Sequence, residues 1–303
     1  MPQRIVIAGG TGFIGQMLAK RLHAEGFDVV LLSRPQRKQS KKQLVGRMVP
    51  WSPNEGVGAW QQEIEGAFAV VNLAGANVGG KRWSNRVRSE IMSSRIDPTR
   101  TLVSAIAMCD ARPSLISTSG SGFYGNTLGP TNEAGGAGGT FLATVCRRWE
   151  EEAMHGAQFT RVAIMRLGVV LDKTDGIVSR LLPFFRAFVG GPLGSGRQWL
   201  PWVHKEDVVN AYHHAITRDH IEGVYNIASP EIVQMSGFAL GMGRATKRPS
   251  WLRVPTYLVR LLRGRQADII LHGQHIVPMR TIVDGFQFKH HTLTPALQDI
   301  LNA

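Results

Sequence analysis

The amino-acid sequence predicts an α/β protein: a Rossmann-type, doubly wound parallel sheet with a smaller C-terminal substrate lobe. Short apolar runs alternate with amphipathic helical stretches over most of the chain, which is the pattern of repeated βαβ units. The first of these units also has closely spaced glycines between its strand and its helix. Together the two observations favour a fold of the nucleotide-binding type.

The first unit runs from an apolar strand, Arg4 to Ala8, into a helical pattern that starts near Phe13. Between them lie Gly9, Gly12 and Gly15, spaced Gly-x-x-Gly-x-x-Gly. Such a turn leaves N–H groups unpaired beside the positive end of the helix dipole, and the missing side chains let a pyrophosphate approach the backbone. The spacing favours the short-chain dehydrogenase branch of these folds; the alternative is a close-packed turn without a ligand.

The later elements continue the alternation of strands and helices. Strands are predicted over Asp28 to Ser33, Arg47 to Trp51, Ala67 to Leu73, Ser114 to Thr118, Arg161 to Leu167 and Gly223 to Ala228. Long helices are predicted over Asn85 to Met108, Phe141 to His155 and Lys205 to Thr217. We therefore expect a dinucleotide-binding domain over residues 1–175, completed by about 203–228, and a smaller lobe over 176–202 and 229–303.

Composition argues against several classes of protein. The chain has 303 residues, 43% of them hydrophobic, and no apolar stretch approaches the ~20 residues of a bilayer crossing. It starts directly with a core strand, so no signal peptide is expected, and two cysteines indicate neither a disulfide framework nor a zinc site. The histidine pairs 213–214 and 290–291 lack ligand-like spacing, so no metal is expected. We expect a cytoplasmic monomer or homodimer without a membrane partner.

The formal net charge of +13 raises the question of a nucleic-acid partner. The basic residues, however, are spread along the sequence rather than gathered in an arm or a helix. The one dense run, residues 34–42, follows the second strand, where the adenosine ribose of a dinucleotide would lie. Its part from Lys38 to Lys42 fits a solvated basic loop equally well. No nucleic-acid partner is therefore expected.

The end of the second strand indicates which dinucleotide binds. NAD sites usually place Asp or Glu there to hold the ribose hydroxyls, whereas this strand ends in Ser33 and Arg34 and has its only acid, Asp28, at the other end. Arginine pairs bidentately with a phosphate, and the serine hydroxyl can donate to it. Since a charge-assisted hydrogen bond contributes roughly 1.5–3 kcal/mol, the sequence predicts NADP(H) rather than NAD(H).

Small residues also end the fourth strand, in Asn72-Leu73-Ala74-Gly75, where a cofactor would cross the sheet edge. The alternative is a tight turn without a ligand. On the helix that follows, Glu90 and Arg95 could rim the cofactor cleft. The alternative is a surface ion pair, which would contribute little to stability.

Ordered motifs along essentially the whole chain resemble an atypical extended short-chain dehydrogenase/reductase, the NAD(P)-dependent epimerase family with an uncharacterised C-terminal domain. The motifs are Gly9-Gly10-Thr11-Gly12-Phe13-Ile14-Gly15, Asn72-Leu73-Ala74-Gly75, Lys81-Arg82-Trp83, Ser94-Arg95-Ile96, Gly122-Phe123-Tyr124-Gly125, Cys146-Arg147-Arg148-Trp149-Glu150, Gly190 to Trp199, Trp202-Val203-His204, Gly273-Gln274 and Gly285-Phe286. The resemblance implies NADP binding, with Ser33 and Arg34 at the 2′-phosphate and Val170 near the nicotinamide end. Together with the residues singled out above, the expected cofactor set is Gly9, Thr11, Gly12, Phe13, Ile14, Gly15, Ser33, Arg34, Leu73, Ala74, Gly75, Glu90, Arg95, Thr118 and Val170.

The sequence departs from this family pattern at the catalytic positions. Ordinary extended reductases have Ser or Thr four residues before the Tyr of a Tyr-Gly pair, and Tyr-x-x-x-Lys on the next helix. Here Gly120 stands four residues before Tyr124, while alignment by Trp149-Glu150 puts Leu142 and Cys146 in the Tyr and Lys positions. The remaining candidates for catalysis are Tyr124, as proton donor or as a wall of the site, and a nearby hydroxyl such as that of Ser119.

Four side chains are expected around a substrate at the carboxyl edge of the sheet. They are Trp83, Arg197, Trp199 and Trp202. His204 is assigned to packing, and Glu206-Asp207 to capping the helix that follows. The sequence thus predicts an NADP(H)-binding oxidoreductase or epimerase-like protein for an unknown small carbonyl or sugar-like substrate. The alternative is a non-catalytic NADPH sensor or scaffold.

Overall fold

A computed structural model describes residues 2–34, 44–53, 56 and 58–302 of the chain. The strands are β1 (Arg4–Ala8), β2 (Asp28–Ser33), β3 (Arg47–Pro50), β4 (Ala69–Asn72), β5 (Ser114–Gly120), β6 (Val162–Leu167), β7 (Val169–Leu171), β8 (Trp199–Leu200), β9 (Trp202–His204), β10 (Gly223–Ile227) and β11 (Val233–Gln234). The α-helices are α1 (Phe13–Ala24), α2 (Asn85–Ala107), α3 (Phe141–Met154), α4 (Gly176–Arg186), α5 (Lys205–Thr217), α6 (Met235–Thr246), α7 (Thr256–Arg263), α8 (Asp268–Leu271), α9 (Met279–Val283) and α10 (Leu293–Asn302).

Within the described residues, seven strands form a parallel sheet in the order β3-β2-β1-β4-β5-β6-β10. The predicted α/β fold and its strands are confirmed, with bounds that differ by a few residues. β4, for example, begins at Ala69 rather than Ala67, because the Ala67 N–H donates to the Ile64 carbonyl and pairing with β1 starts only at Ala69. The order of the strands reverses between β1 and β4, because β2 and β3 lie on one side of β1 and the later strands lie on the other. In open α/β sheets this is where the ligand crevice opens.

Both faces of the sheet are covered by apolar side chains, as a parallel sheet requires. On β1, Ile5 and Ile7 point into one layer, where they join Leu18 and Leu22 of α1. Val6 and Ala8 point into the other layer. Since burying a large aliphatic side chain contributes about 1.5–3 kcal/mol, this alternation fixes the register of β1 and thereby the place of the glycine turn that follows it.

A second apolar core lies in the part of the chain predicted to be the smaller lobe. It brings together Phe185 of α4, Trp202 of β9, Phe238 of α6 and Leu297 of α10. Two short strand pairs, β8 with β11 and β7 with β9, contribute Leu171, Leu200 and Trp202 to this core. None of the helices in the described ranges combines the length and the apolar character that a bilayer crossing requires.

His204 joins the two cores. It is the N-cap of α5, and its Nδ1 accepts the N–H of Glu206 at 3.2 Å. The predicted cap, Glu206-Asp207, is wrong in this detail, because Asp207 instead accepts the backbone N–H groups of Lys289 and His290. The His204 ring is fully buried and stacks 3.7 Å from the His290 ring, while its Nε2 lies 3.3 Å from Asp299 of α10.

Replacing His204 with Asn should reduce the sensitivity of the fold to acid. Burial, with a smaller contribution from His290, lowers the pKa of His204 from 6.5 to about 4. Between pH 6.5 and 4 the unfolded chain therefore binds a proton that the folded chain does not. The free energy of unfolding decreases by up to about 3 kcal/mol as the pH falls through this range. His204→Asn keeps a capping acceptor but does not titrate. Urea unfolding at pH 7 and pH 4.5 would show a smaller difference for this variant.

The exposed neighbour His291 provides the control. His291→Asn should keep the wild-type loss of stability between the two pH values. An equal loss in His204→Asn and wild type would show that His204 does not cause the acid sensitivity.

Candidate functional site

The glycine turn after β1 exposes bare backbone at the point where the strand order of the sheet reverses. Gly9 has a φ of +77°, and a Cβ added there would lie 2.8 Å from the carbonyl oxygen of Leu73 at the end of β4. A Cβ on Gly15 would lie 2.6 Å from the Cα of Gly10, so this glycine lets α1 pack closely on the turn. Both positions therefore require glycine.

The N-terminus of α1 faces this turn without a side-chain cap. Gly12 is the N-cap residue, and a Cβ placed on it would meet only the Gly9 carbonyl oxygen, at 3.1 Å. The half-buried Phe13 and Ile14 begin the helix. Uncapped N–H groups at a helix start bind phosphate, so this arrangement fits the pyrophosphate of a dinucleotide. Thr11 lies in the same turn.

The end of β2 lies next to β1 on the same edge. Ser33 is buried there, and Arg34 is exposed. Among the described residues Arg34 has no carboxylate partner, so its guanidinium is available to an anion. The basic run Lys38 to Lys42 lies outside the described residues.

The end of β4 is held by a buried hydrogen-bond network. The Asn72 amide donates to the Thr99 hydroxyl at 2.8 Å and accepts the N–H of Ala74 at 3.2 Å. Thr99 also accepts the indole N–H of Trp149 at 2.9 Å. From β5, the Thr118 hydroxyl donates to the Asn72 carbonyl at 2.8 Å. These contacts position Leu73, Ala74 and Gly75 in front of the glycine turn.

Arg95 of α2 lies against this segment as a cation without a carboxylate partner in the described structure. Its guanidinium donates to the carbonyls of Ile91 and Ala76, both at 3.0 Å, and a Cβ on Gly75 would lie 3.1 Å from its Cζ. Burial lowers the pKa of Arg95. Its proposed companion Glu90 is exposed on α2, and Val170 is half-buried on β7.

The three positions expected to hold a catalytic triad are adjacent in space. A Cβ on Gly120 would lie 3.8 Å from the Sγ of Cys146, and one on Gly122 would lie 3.1 Å from the Cβ of Leu142. Burial raises the pKa of the Cys146 thiol to about 11, so the thiol stays protonated and is a poor nucleophile. These three positions therefore provide no hydroxyl, phenol or ammonium group.

A buried network of charged and polar groups lies beside them. Arg166 of β6 and Glu150 of α3 form a two-point ion pair, with N–O distances of 2.9 and 2.7 Å. The Ser119 hydroxyl donates to Glu150 at 2.5 Å. Arg166 also donates to the Tyr124 hydroxyl at 2.7 Å, and that hydroxyl donates in turn to the Asn226 amide oxygen at 2.8 Å. The network thus connects both candidate catalytic hydroxyls.

Tyr124 is poorly exposed in this arrangement. Its side chain is buried, and burial raises its pKa although the Arg166 guanidinium opposes this shift. Sequence reasoning missed Arg166 and Glu150. The available signal was one arginine inside the otherwise apolar strand Val162–Leu167, because a buried charge requires a partner.

The predicted substrate residues are not all placed together. Trp83 is buried, donates its indole N–H to the Val78 carbonyl at 3.0 Å and packs edge-on to Phe141. Trp199 is half-buried, with its ring 4.2 Å from that of His275, and Arg197 is exposed. Trp202 lies fully inside the second apolar core, where its indole N–H donates to the Glu231 carbonyl. Its burial there does not support a role as a pocket wall.

One group of side chains in the described ranges has metal-ligand spacing: His204, His290 and Asp299. The ring geometry opposes metal binding. Nδ1 of His204 accepts a backbone N–H, so Nε2 carries the proton, whereas a metal-bound imidazole normally donates from its other nitrogen.

The profile of the NAD dependent epimerase/dehydratase family matches residues 5–228, and that of a domain of unknown function (DUF1731) matches residues 254–300. The chain belongs to this epimerase family. The Arabidopsis thaliana chloroplastic homolog of epimerase family protein SDR39U1 is 37% identical over 301 residues, which cover 98% of this chain and 86% of that protein. The Bacillus subtilis epimerase family protein YfhF is 34% identical over 98% of this chain and 97% of its own length.

Two solved structures share the fold. Human SDR39U1 (isoform 2), crystallised with NADPH, superposes with a TM-score of 0.87 at 31% identity and covers 99% of both chains. MoeE5 in complex with UDP-glucuronic acid and NAD gives a TM-score of 0.78 at 21% identity, covering 97% of this chain and 96% of that one. The second likeness shows the fold alone.

Replacing Arg166 with Met should strongly destabilise this family member. The substitution leaves the Glu150 carboxylate buried without its cation, and removing one partner of a buried pair costs about 3–5 kcal/mol. Arg100→Met is the matched control, since Arg100 pairs with Glu152 at an exposed site and should lose about 1 kcal/mol or less. Chemical denaturation at pH 7 measures both. Equal losses would show that the buried network does not stabilise the site.

Proposed function

We propose that this protein is an NADP(H)-dependent oxidoreductase or epimerase that acts on a small carbonyl or sugar-like substrate. The observation that carries the proposal is the bare backbone between Gly9 and Gly15, together with an exposed Arg34 that has no carboxylate partner among the described residues. The NADPH in the crystal structure of the human relative supports the same choice of cofactor.

The residues on this edge fit the parts of the cofactor. The uncapped N-terminus of α1 would bind the pyrophosphate, and Ser33 with Arg34 would bind the 2′-phosphate. Leu73, Ala74 and Gly75 would line the ribose, with Arg95 beside them as a further cation. When bound, NADP(H) supplies or accepts hydride.

Tyr124 is the proton donor in this proposal. Its phenol lies 2.7 Å from the Arg166 guanidinium, which favours the tyrosinate in the way that the lysine of ordinary members does. Ser119, held by Glu150, would orient the substrate oxygen. Trp83, Trp199 and Arg197 would contact the rest of the substrate, which they can reach if the loop that contains Arg197 closes over the sheet edge.

Replacing Arg34 with Ala should remove the preference for NADPH. Loss of the charge-assisted contact to the 2′-phosphate should weaken NADPH binding about tenfold or more. NADH lacks this phosphate, so its affinity is the internal control and should stay nearly unchanged. Calorimetric titration of both cofactors measures the ratio. Unchanged NADPH affinity, or equal losses for both cofactors, would contradict the 2′-phosphate assignment.

A second candidate function is non-catalytic NADPH sensing or scaffolding. The observation that favours it is the combination of Gly120, Leu142 and Cys146 at the triad positions with a buried Tyr124. In this case the cofactor would bind without turnover.

Hydride loss from deuterated NADPH distinguishes the two candidates. In a library of carbonyl compounds and sugar nucleotides, an oxidoreductase requires stereospecific deuteride transfer to at least one compound. An epimerase returns the hydride that it removes, so it requires epimerisation of at least one sugar nucleotide in the presence of NADP+. Tyr124→Phe should then reduce kcat about 100-fold or more while NADPH affinity, which reports a folded cofactor site, is kept. Absence of both transfer and epimerisation with every compound would favour the sensor. Unchanged turnover in Tyr124→Phe would remove Tyr124 as the donor.

A further inference from the structure

The excess positive charge is concentrated in the fold although it is dispersed in the sequence. Residues 176–202 contain three Lys or Arg and residues 232–267 contain seven, and neither segment contains Asp or Glu. The two segments lie side by side, because the Leu252 N–H donates to the Gly190 carbonyl at 3.2 Å and Leu193 pairs with Val254. In the described structure none of these cations forms an ion pair with a carboxylate. A surface of one sign indicates an anionic partner.

Large apolar side chains are exposed on the same edge. Phe184 and Phe188 lie at and just beyond the end of α4, and Trp251 and Leu252 lie on the neighbouring segment. Trp251 is 69% exposed and Phe188 is 52% exposed. The Arg248 guanidinium lies 4.4 Å from the centre of the Phe188 ring. We call this surface the basic-apolar edge and define it by Phe184, Phe188, Arg248, Trp251 and Leu252.

Phe188 also has a strained backbone. Its φ is +63°, in the left-handed region where a large side chain is uncommon and glycine is usual after a helix. Because the phenyl ring is half exposed, burial in the protein does not account for the choice of residue. Strain held at an exposed aromatic residue points to a role at the surface.

We propose that the basic-apolar edge binds the surface of a membrane that contains anionic phospholipids. Exposed aromatic and aliphatic side chains insert at the boundary between headgroups and acyl chains, while arginines bind lipid phosphates. The edge supplies both kinds of group in one place. Binding of this kind is peripheral and places the small lobe on the membrane surface, independently of the reaction proposed above.

Two other partners fit the edge less well. Nucleic acid would neutralise the arginines, but its phosphates make no apolar contact with the exposed side chains of Leu252 and Val189. A second copy of the chain, paired symmetrically, would bring two basic surfaces together. An anionic membrane provides phosphates that bind the arginines and acyl chains that contact the apolar side chains.

Vesicle flotation of the full chain tests the proposal. The probes are vesicles of phosphatidylcholine alone and of phosphatidylcholine with about 30% phosphatidylglycerol, at about 0.15 M salt, where long-range attraction is screened. Flotation with the anionic vesicles and not with the neutral ones is expected. Absence of flotation with anionic vesicles would overturn the proposal.

Three variants localise the binding. Arg248→Glu should weaken it about fivefold or more. Phe188→Gly removes the ring and also relieves the backbone strain, so it should fold and bind severalfold more weakly. Lys20→Glu makes the same charge change on the exposed face of α1 and should bind like the wild type.

Each contrary result has a defined meaning. An equal loss in Lys20→Glu and Arg248→Glu would show attraction by net charge alone and would overturn the assignment to this edge. Full binding by Phe188→Gly, with displacement of the vesicles by a short DNA duplex, would show a polyanion site and would overturn the membrane proposal. Circular dichroism and thermal unfolding of each variant confirm that it is folded.

Discussion

The structure depends on one constraint, the close approach of the backbones after β1 and after β4, where the order of the strands in the parallel sheet reverses. Gly9 and the carbonyl of Leu73 lie so near each other that a Cβ on Gly9 would be 2.8 Å from that oxygen. The reversal opens the crevice at the carboxyl edge, and the glycines leave it lined by N–H groups rather than side chains. The proposed cofactor site, the arrangement of Arg95 and the position of α1 all follow from this contact.

The buried pair of Arg166 and Glu150 holds the two hydroxyls that we propose for catalysis. Gly120, Leu142 and Cys146 occupy the positions expected for a triad, and Ser119 and Tyr124 are hydrogen-bonded to the ion pair. Two charges in a dry site are stable only with complete hydrogen bonding, so the network holds these hydroxyls in fixed positions. The Arg166 guanidinium offsets part of the rise that burial causes in the pKa of Tyr124.

Sequence reasoning predicted the fold well because periodicity is a local signal. The alternation around Val162–Leu167 and the helix Asn85–Ala107 was readable from neighbouring residues alone. Contacts between distant residues were not readable in this way. Glu150 and Arg166 pair only after α3 packs against β6, and Trp202 turns inward only because α4, α6 and α10 enclose it. Arg248 and Phe188 likewise become neighbours only in the fold.

A crystal structure of the protein with bound NADPH tests the central claim, that the crevice at the sheet reversal holds this cofactor against the buried network. The account predicts the pyrophosphate at the start of α1, the 2′-phosphate on Arg34 and the nicotinamide ring within about 7 Å of the Tyr124 hydroxyl, the distance that one small substrate spans in near-attack geometry. A nicotinamide ring farther than that from the Tyr124 hydroxyl, or a 2′-phosphate away from Arg34, would contradict it.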